Sequence, residues 1–197
     1  MSILIAYKKG DTVFLGTDTR VTVNEHIKSE VCQSNHKIQM LNDGLIVGIA
    51  GDRLVRQTIF AYSEIFSLDK AGKLTRKHIA KVVIPKLIEV LEMENLIVLE
   101  EDDVPRMKSQ IVLAHKGDLF EICSNFAVYK YEDYQAIGIS SDYAQSVLSS
   151  AKPTDDIHKT IIKALKVTAK NTYLVGAPYL LMDTKTKEYT LVRSENL

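Results

Sequence analysis

The chain has 197 residues, with 25 Lys and Arg against 25 Asp and Glu and an apolar fraction of 46%. That balance excludes a disordered chain, a nucleic-acid binder built on basic excess, and a membrane-spanning chain, which needs apolar runs of roughly 18 residues. It predicts one globular domain over residues 1–197, long enough to bury a core without staples.

Residues 3–7 are a short β-rich run, and Lys9-Gly10-Asp11 is a turn signal. Residues 13–17 resume as a strand, so 3–18 read as a hairpin. Residues 21–34 are polar and mixed. Residues 37–41 and 45–50 form a second strand pair around Asn42-Asp43-Gly44. Asp52 is a good N-cap, and Leu54, Val55, Ile59, Tyr62, Ile65 and Phe66 follow at helical spacing. Residues 69–73 are a loop. Thr75 caps a second helix with Ile79, Val83, Leu87 and Leu91 on its stripe, and Pro85 inside it predicts a kink. The acidic run 100–103 reads as a solvated loop.

The second half repeats the grammar. Residues 111–115 and 119–123 form a hairpin around Lys116-Gly117-Asp118, and 127–131 and 134–139 are further strands. A helix covers 142–150 and stops near Pro153. Asp155 and Asp156 open another, with Ile157, Ile161, Leu165 and Thr168 on one face. Residues 177–183 and 189–193 close the chain as a hairpin. Strands separated by helix pairs argue for α+β, and the simplest packing is two antiparallel sheets with a helix pair on each outer face.

Cys32 and Cys123 are too few for a disulfide framework and read as free thiols. The histidines lack metal-ligand spacing. The first residues are no signal peptide, because the lysines follow a short apolar run. A cytoplasmic protein is expected.

No nucleophile elbow, P-loop or dinucleotide fingerprint is present. What stands out is a set near the start: Ser2, Asp18 in Gly-Thr-Asp-Thr-Arg, Lys37, and Gly48 in Gly-Ile-Ala-Gly-Asp. Singly, each has an ordinary reading: a penultimate serine, a strand-end ion pair of Asp18 with Arg20, a surface lysine, a bulge glycine. Together, with Gly138-Ile139-Ser140-Ser141-Asp142 later in the chain, they resemble the proteasome β-type and HslV-type peptidases of the N-terminal-nucleophile (Ntn) hydrolases.

The resemblance implies a four-layer αββα sandwich. It also implies a peptidase whose nucleophile is the first residue of the mature chain. Here that residue is Ser2, exposed by loss of Met1, with no room for a propeptide of useful size. The freed α-amine, with a reference pKa of about 7.7–8.0, would take the hydroxyl proton. Lys37, held by Asp18, would supply positive charge, and the Gly48 amide would bind the oxyanion. Thr22 and Ala50 would pair with an extended peptide. Val21, Asn35, Gln39, Ile46, Ala50 and Leu54 would line the specificity pocket. No metal or organic cofactor is implied. A homo-oligomeric ring and an ATPase unfoldase partner are. The sequence departs from the family at the nucleophile, serine for threonine, and at Ile139, Asn171 and Leu174, where the family has supporting polar groups. An inactive ring scaffold and a small-amide hydrolase are the alternative readings.

Overall fold

A computed structural model describes residues 2–23, 26–29, 36–41, 43–99, 104–152 and 154–193. The first hairpin is β1 (Ile3–Lys9) and β2 (Thr12–Asp18), joined at Gly10. Then come β3 (Val21–Val23), β4 (His26–Ser29), β5 (Ile38–Met40) and β6 (Ile46–Gly51). Helices α1 (Arg53–Ala61), α2 (Arg76–His78) and α3 (Ile84–Met93) follow. Strands β7 (Ile97–Leu99), β8 (Pro105–Met107), β9 (Ser109–His115), β10 (Asp118–Ile122), β11 (Val128–Tyr131) and β12 (Tyr134–Gly138) come next. The chain ends with α4 (Ser141–Ser149), α5 (Ile157–Asn171), β13 (Tyr179–Asp183) and β14 (Thr190–Val192).

Two five-stranded antiparallel sheets form, in the orders β12-β1-β2-β13-β14 and β11-β10-β9-β6-β5. Strand alternation splits their side chains between faces. Ile3 and Ile5 face α4 and α5, together with Ile161 and Leu165. Leu4 and Ala6 face the other sheet and meet Ile46, Ala50 and Val112. Val47 and Ile49 point the opposite way, to Val55 and Ile59 of α1 and Leu87 of α3. Three apolar layers therefore separate four layers of backbone, the αββα order. Each buried Ile or Leu contributes about 1.5–3 kcal/mol.

The helix starts follow from capping. Asp52 Oδ1 accepts from Leu54 and Val55 N–H, Thr75 Oγ1 from His78 N–H, and Asp156 Oδ1 from Lys159 N–H. Asp52→Ala should lower stability by about 1 kcal/mol, read as a drop in thermal midpoint.

Several details differ from expectation. Helix α1 stops at Ala61, and Ser63–Ile65 form a 3₁₀ turn that still buries Ile65. Leu54 is 59% exposed: capping at Asp52 directs Val55, Arg56 and Ile59 inward, and Leu54 falls off that face. The helix around Pro85 does not simply kink. Proline lacks the N–H that an α-turn needs, and Ile79–Val83 widen into a π-helical turn just before it. The polar stretch after residue 20 contains the β3–β4 hairpin. Strands β7 and β8 pair across the acidic run, whose residues 100–103 lie outside the described residues, as do Cys32 and Pro153.

Candidate active site

Antiparallel pairing gathers strand starts and strand ends at one end of the sandwich. Ser2 precedes β1, Asp18 ends β2, Gly138 ends β12, Gly51 ends β6 and Lys37 precedes β5. The registers Ile3↔Gly138, Tyr179↔Asp18 and Gly51↔Ser109 hold them level.

Of the expected site residues, the fold brings Ser2, Asp18 and Lys37 together, all buried. Lys37 Nζ lies 2.6 Å from Asp18 Oδ1 and donates to the Arg20 carbonyl at 3.1 Å. Ile3 N–H donates to the same Asp18 Oδ1 at 3.3 Å, so the carboxylate ties the lysine to the strand that starts beside Ser2. Asp18 Oδ2 has no hydrogen-bond partner among the described residues. Burial pushes the Lys37 ammonium below the ordinary lysine range; Asp18 opposes this, while Arg56 and Arg20 add to it.

Ser2 itself is 1% exposed. Its carbonyl accepts from Ile139 N–H at 2.9 Å, and Arg56 Nη1 donates to its Oγ at 3.4 Å. Gly138, at φ +97°, passes directly over the Ser2 carbonyl. Gln110 Oε1 accepts from Gly138 N–H, and Gln110 Nε2 donates to buried Glu121, so the second sheet fixes this crossing. A cleft of about 320 Å³ opens beside this crossing, lined by Ala50, Gly51, Ser109, Gln110 and Gly138 among others, and buried Ser2 is not part of its wall. Larger clefts of about 740 and 660 Å³ lie at the opposite end, among turn residues such as Gly10, Gly44 and Lys116.

Gly48 is placed differently from expectation. Ile49 N–H donates to the Lys37 carbonyl, toward β5. Amides alternate along a strand, so the Gly48 N–H points the other way, into the ladder with Val112 of β9. The Gly48 α-carbon packs under Leu4, in the layer between the sheets. By the same alternation the Ala50 backbone faces Gln110 of β9 and is not open to an added strand. Gly51 shares the direction of Ile49 and extends past the end of β5, whose pairing covers only 46–48 of β6. Its φ of +138°, with the Lys108 carbonyl 2.4 Å from where a Cβ would sit, makes glycine necessary there.

The expected pocket residues divide. Ile46 is fully buried between the sheets at the far end of β6, so it cannot line a pocket at Ser2. Val21 and Ala50 are buried at the near end, Gln39 is half-buried opposite Val47, and Leu54 is exposed on the first turn of α1. Asn35 and the Thr22 side chain lie outside the described residues.

No family model matches this sequence, and no curated protein does. The fold itself has clear counterparts. BPH from Thiobacillus denitrificans superposes with a TM-score of 0.74 at 18% identity, covering 98% of this chain and 99% of that one. Anbu (ancestral beta-subunit) from Yersinia bercovieri gives 0.73 at 16% identity, covering 98% and 88%. HslV from Trypanosoma brucei gives 0.62 at 18% identity, covering 92% and 98%. The chain has the proteasome-like Ntn-hydrolase fold.

On this proteasome-like scaffold the departures from the family pattern have visible causes. Ile139 leans on the apolar layer under α4 and α5, leaving only its amide to Ser2. Asn171 Nδ2 donates to the Val167 carbonyl of its own helix, and Leu174 is buried. Arg56 and Gly51 were missed by the sequence reading. Arg56 stands between Val55 and Ile59 on the inward face of α1, and a charged residue in an apolar stripe was the signal. Among the described residues no cluster of His, Cys, Asp or Glu converges as a metal site, and no helix is long and apolar enough to cross a membrane.

Proposed function

We propose that this chain is a proteasome- and HslV-like peptidase subunit that hydrolyses peptide bonds through Ser2 after removal of Met1. The observation that carries the reading is the Ser2 hydroxyl held at the start of β1, with the Asp18–Lys37 pair tied to the next residue.

The freed α-amine would have a reference pKa of about 7.7–8.0, so it is largely neutral near physiological pH when cations lower it further. It takes the Oγ proton through a water. Oγ bonds to the peptide carbonyl carbon, and the carbonyl pair moves onto oxygen. The Gly51 N–H, in place of Gly48, is the amide suited to receive that oxyanion. Collapse expels the amine, which takes its proton from the α-ammonium. Water then hydrolyses the Ser2 ester by the same route. A substrate segment can lie in the cleft as an extended strand against the open edge near Gly51 and Thr22.

The same reading makes residues 1–197 one subunit of a homo-oligomeric cytoplasmic ring. Its substrate is peptide or unfolded protein, and its partner class is an ATPase unfoldase. One similar structure, BPH from Thiobacillus denitrificans, is in complex with epoxomicin, which makes epoxomicin the first probe to use. Intact mass of protein from its native host should show a chain short by one methionine, and the probe should add to Ser2. Ser2→Ala should lose the adduct and peptide turnover, by roughly a thousandfold or more. A Ser2→Ala protein that cleaves peptides like wild type overturns the reading. Asn171 and Leu174, turned to their own helix and core, favour a second reading as an inactive ring scaffold. That reading predicts retained Met1 and no adduct while a ring still assembles.

A further inference from the structure

Two cations approach Ser2, and their attachments differ. Lys37 Nζ is committed to Asp18 Oδ1 and the Arg20 carbonyl. Arg56 reaches the nucleophile itself: among the described residues, Ser2 Oγ has one side-chain partner, Arg56 Nη1 at 3.4 Å. Arg56 is 3% exposed and projects from the inward face of α1, whose start Asp52 fixes by capping. Asp52 is the N-cap that starts the helix, so Arg56 is presented by a rigid element one turn on.

We propose that Arg56 is a catalytic residue of this site: its guanidinium stabilises the developing charge on Ser2 Oγ and holds the α-amine of Ser2 in its neutral, proton-accepting form. This rests on the Ser2 peptidase reading above. The step itself is unchanged in balance: the Oγ proton goes to the α-amine, and the Oγ pair forms the bond to the carbonyl carbon. Arg56 neither gains nor loses a proton, because a guanidinium stays charged throughout the working range. Burial and the nearby Arg56 favour the neutral form of Lys37, against the opposing pull of Asp18. Among the described residues, the charged and titratable groups around Ser2 are Asp18 on β2, Arg20 just after it, Lys37 before β5, Arg56 on α1 and Tyr179 on β13. Burial and Asp18 push the Tyr179 phenol upward, so it stays neutral where the amine titrates.

The test is the pH profile of covalent capture of Ser2 by an electrophilic peptide probe, followed by intact mass on the Met1-processed full chain. The wild-type rate rises along an acid limb as the α-amine loses its proton. Removing a neighbouring positive charge raises the amine's pKa, so Arg56→Met should move that limb to higher pH by about one pH unit. It should also slow capture roughly 10–100-fold on the plateau, the loss of a charge-assisted donor to the nucleophile. Arg56→Lys should keep the limb where it is. If Arg56→Met does not fold, Arg56→Gln removes the charge while keeping a shorter polar side chain, and it carries the same expected shift of the limb. A folded Met or Gln variant with the wild-type limb overturns the inference, whether its plateau is unchanged or uniformly lowered, since a structural role slows capture without moving the limb. Absence of capture in processed wild type sinks the Ser2 reading and this inference together; capture that ignores Arg56 sinks this inference alone.

Discussion

Lys37→Met is expected to lower folding stability by about 3–5 kcal/mol, the cost of leaving a buried carboxylate without its ion partner. Asp18 is fully buried and Lys37 is 2% exposed. Once the ammonium is gone, among the described residues Asp18 Oδ1 keeps only the Ile3 N–H at 3.3 Å, and Oδ2 has no hydrogen-bond partner. Single alanine-type truncations cannot separate a folding role from a chemical one, but the pair can. In the double variant Asp18→Asn, Lys37→Met no ionised carboxylate remains, and most of the lost stability should return. Capture of Ser2 should not return to the wild-type rate with it, because Lys37 is still missing and Arg56 alone supplies positive charge beside the nucleophile. Urea midpoints at unchanged m-value read the first effect and probe adduct formation reads the second. A single variant that loses less than about 1 kcal/mol would mean that water solvates the pair. A double variant that recovers capture along with stability would remove Lys37 from the chemistry.

How far the sequence carries differs from one part of this molecule to another. The hairpins at Gly10, Gly44 and Gly117 were legible because each turn residue sits between short apolar, β-rich runs. The starts of α1, α2 and α5 were legible because Asp52, Thr75 and Asp156 cap them. The pairs β3–β4 and β7–β8 were not, since strands of three or four residues are too short to show a period. The meeting of Asp18 with Lys37 came from family resemblance; nothing in a spacing of 19 residues announces it. Choosing Gly48 over Gly51 shows a different limit. The two glycines are three apart on one strand, so their amides point opposite ways, and only the ladder of β6 with β5 and β9 says which is which. Arg56 was hidden for a related reason: reading a helix by its apolar stripe discards the charged residue that shares the stripe.

Gly138→Ala should damage both the fold and the function of this site severely. A Cβ there would sit 2.2 Å from the Ser2 carbonyl oxygen and 3.0 Å from Ala50 Cβ, at a backbone φ of +97°. Neither obstacle is a flexible side-chain end. The Ser2 carbonyl is the acceptor of Ile139 N–H, and Gln110 Oε1 receives Gly138 N–H from the other sheet. Relief must come from moving Ser2 outward, which drags Ile3 N–H off Asp18 and swings Oγ away from Arg56. Backbone strain plus the broken crossing should cost roughly 2–4 kcal/mol of stability. Displacing the nucleophile by about 1 Å should slow its capture around a hundredfold or more. Gly72→Ala is the matched control: φ is +68°, but nothing lies within 4 Å of the added methyl. It should cost about 1 kcal/mol and leave capture at the wild-type rate. Equal capture rates in the two variants would show that the crossing of β12 over Ser2 does not set the position of the nucleophile. A loss confined to Gly138→Ala, measured on protein shown to be folded by its thermal midpoint, would place the packing of one glycine and the orientation of one hydroxyl in the same cause.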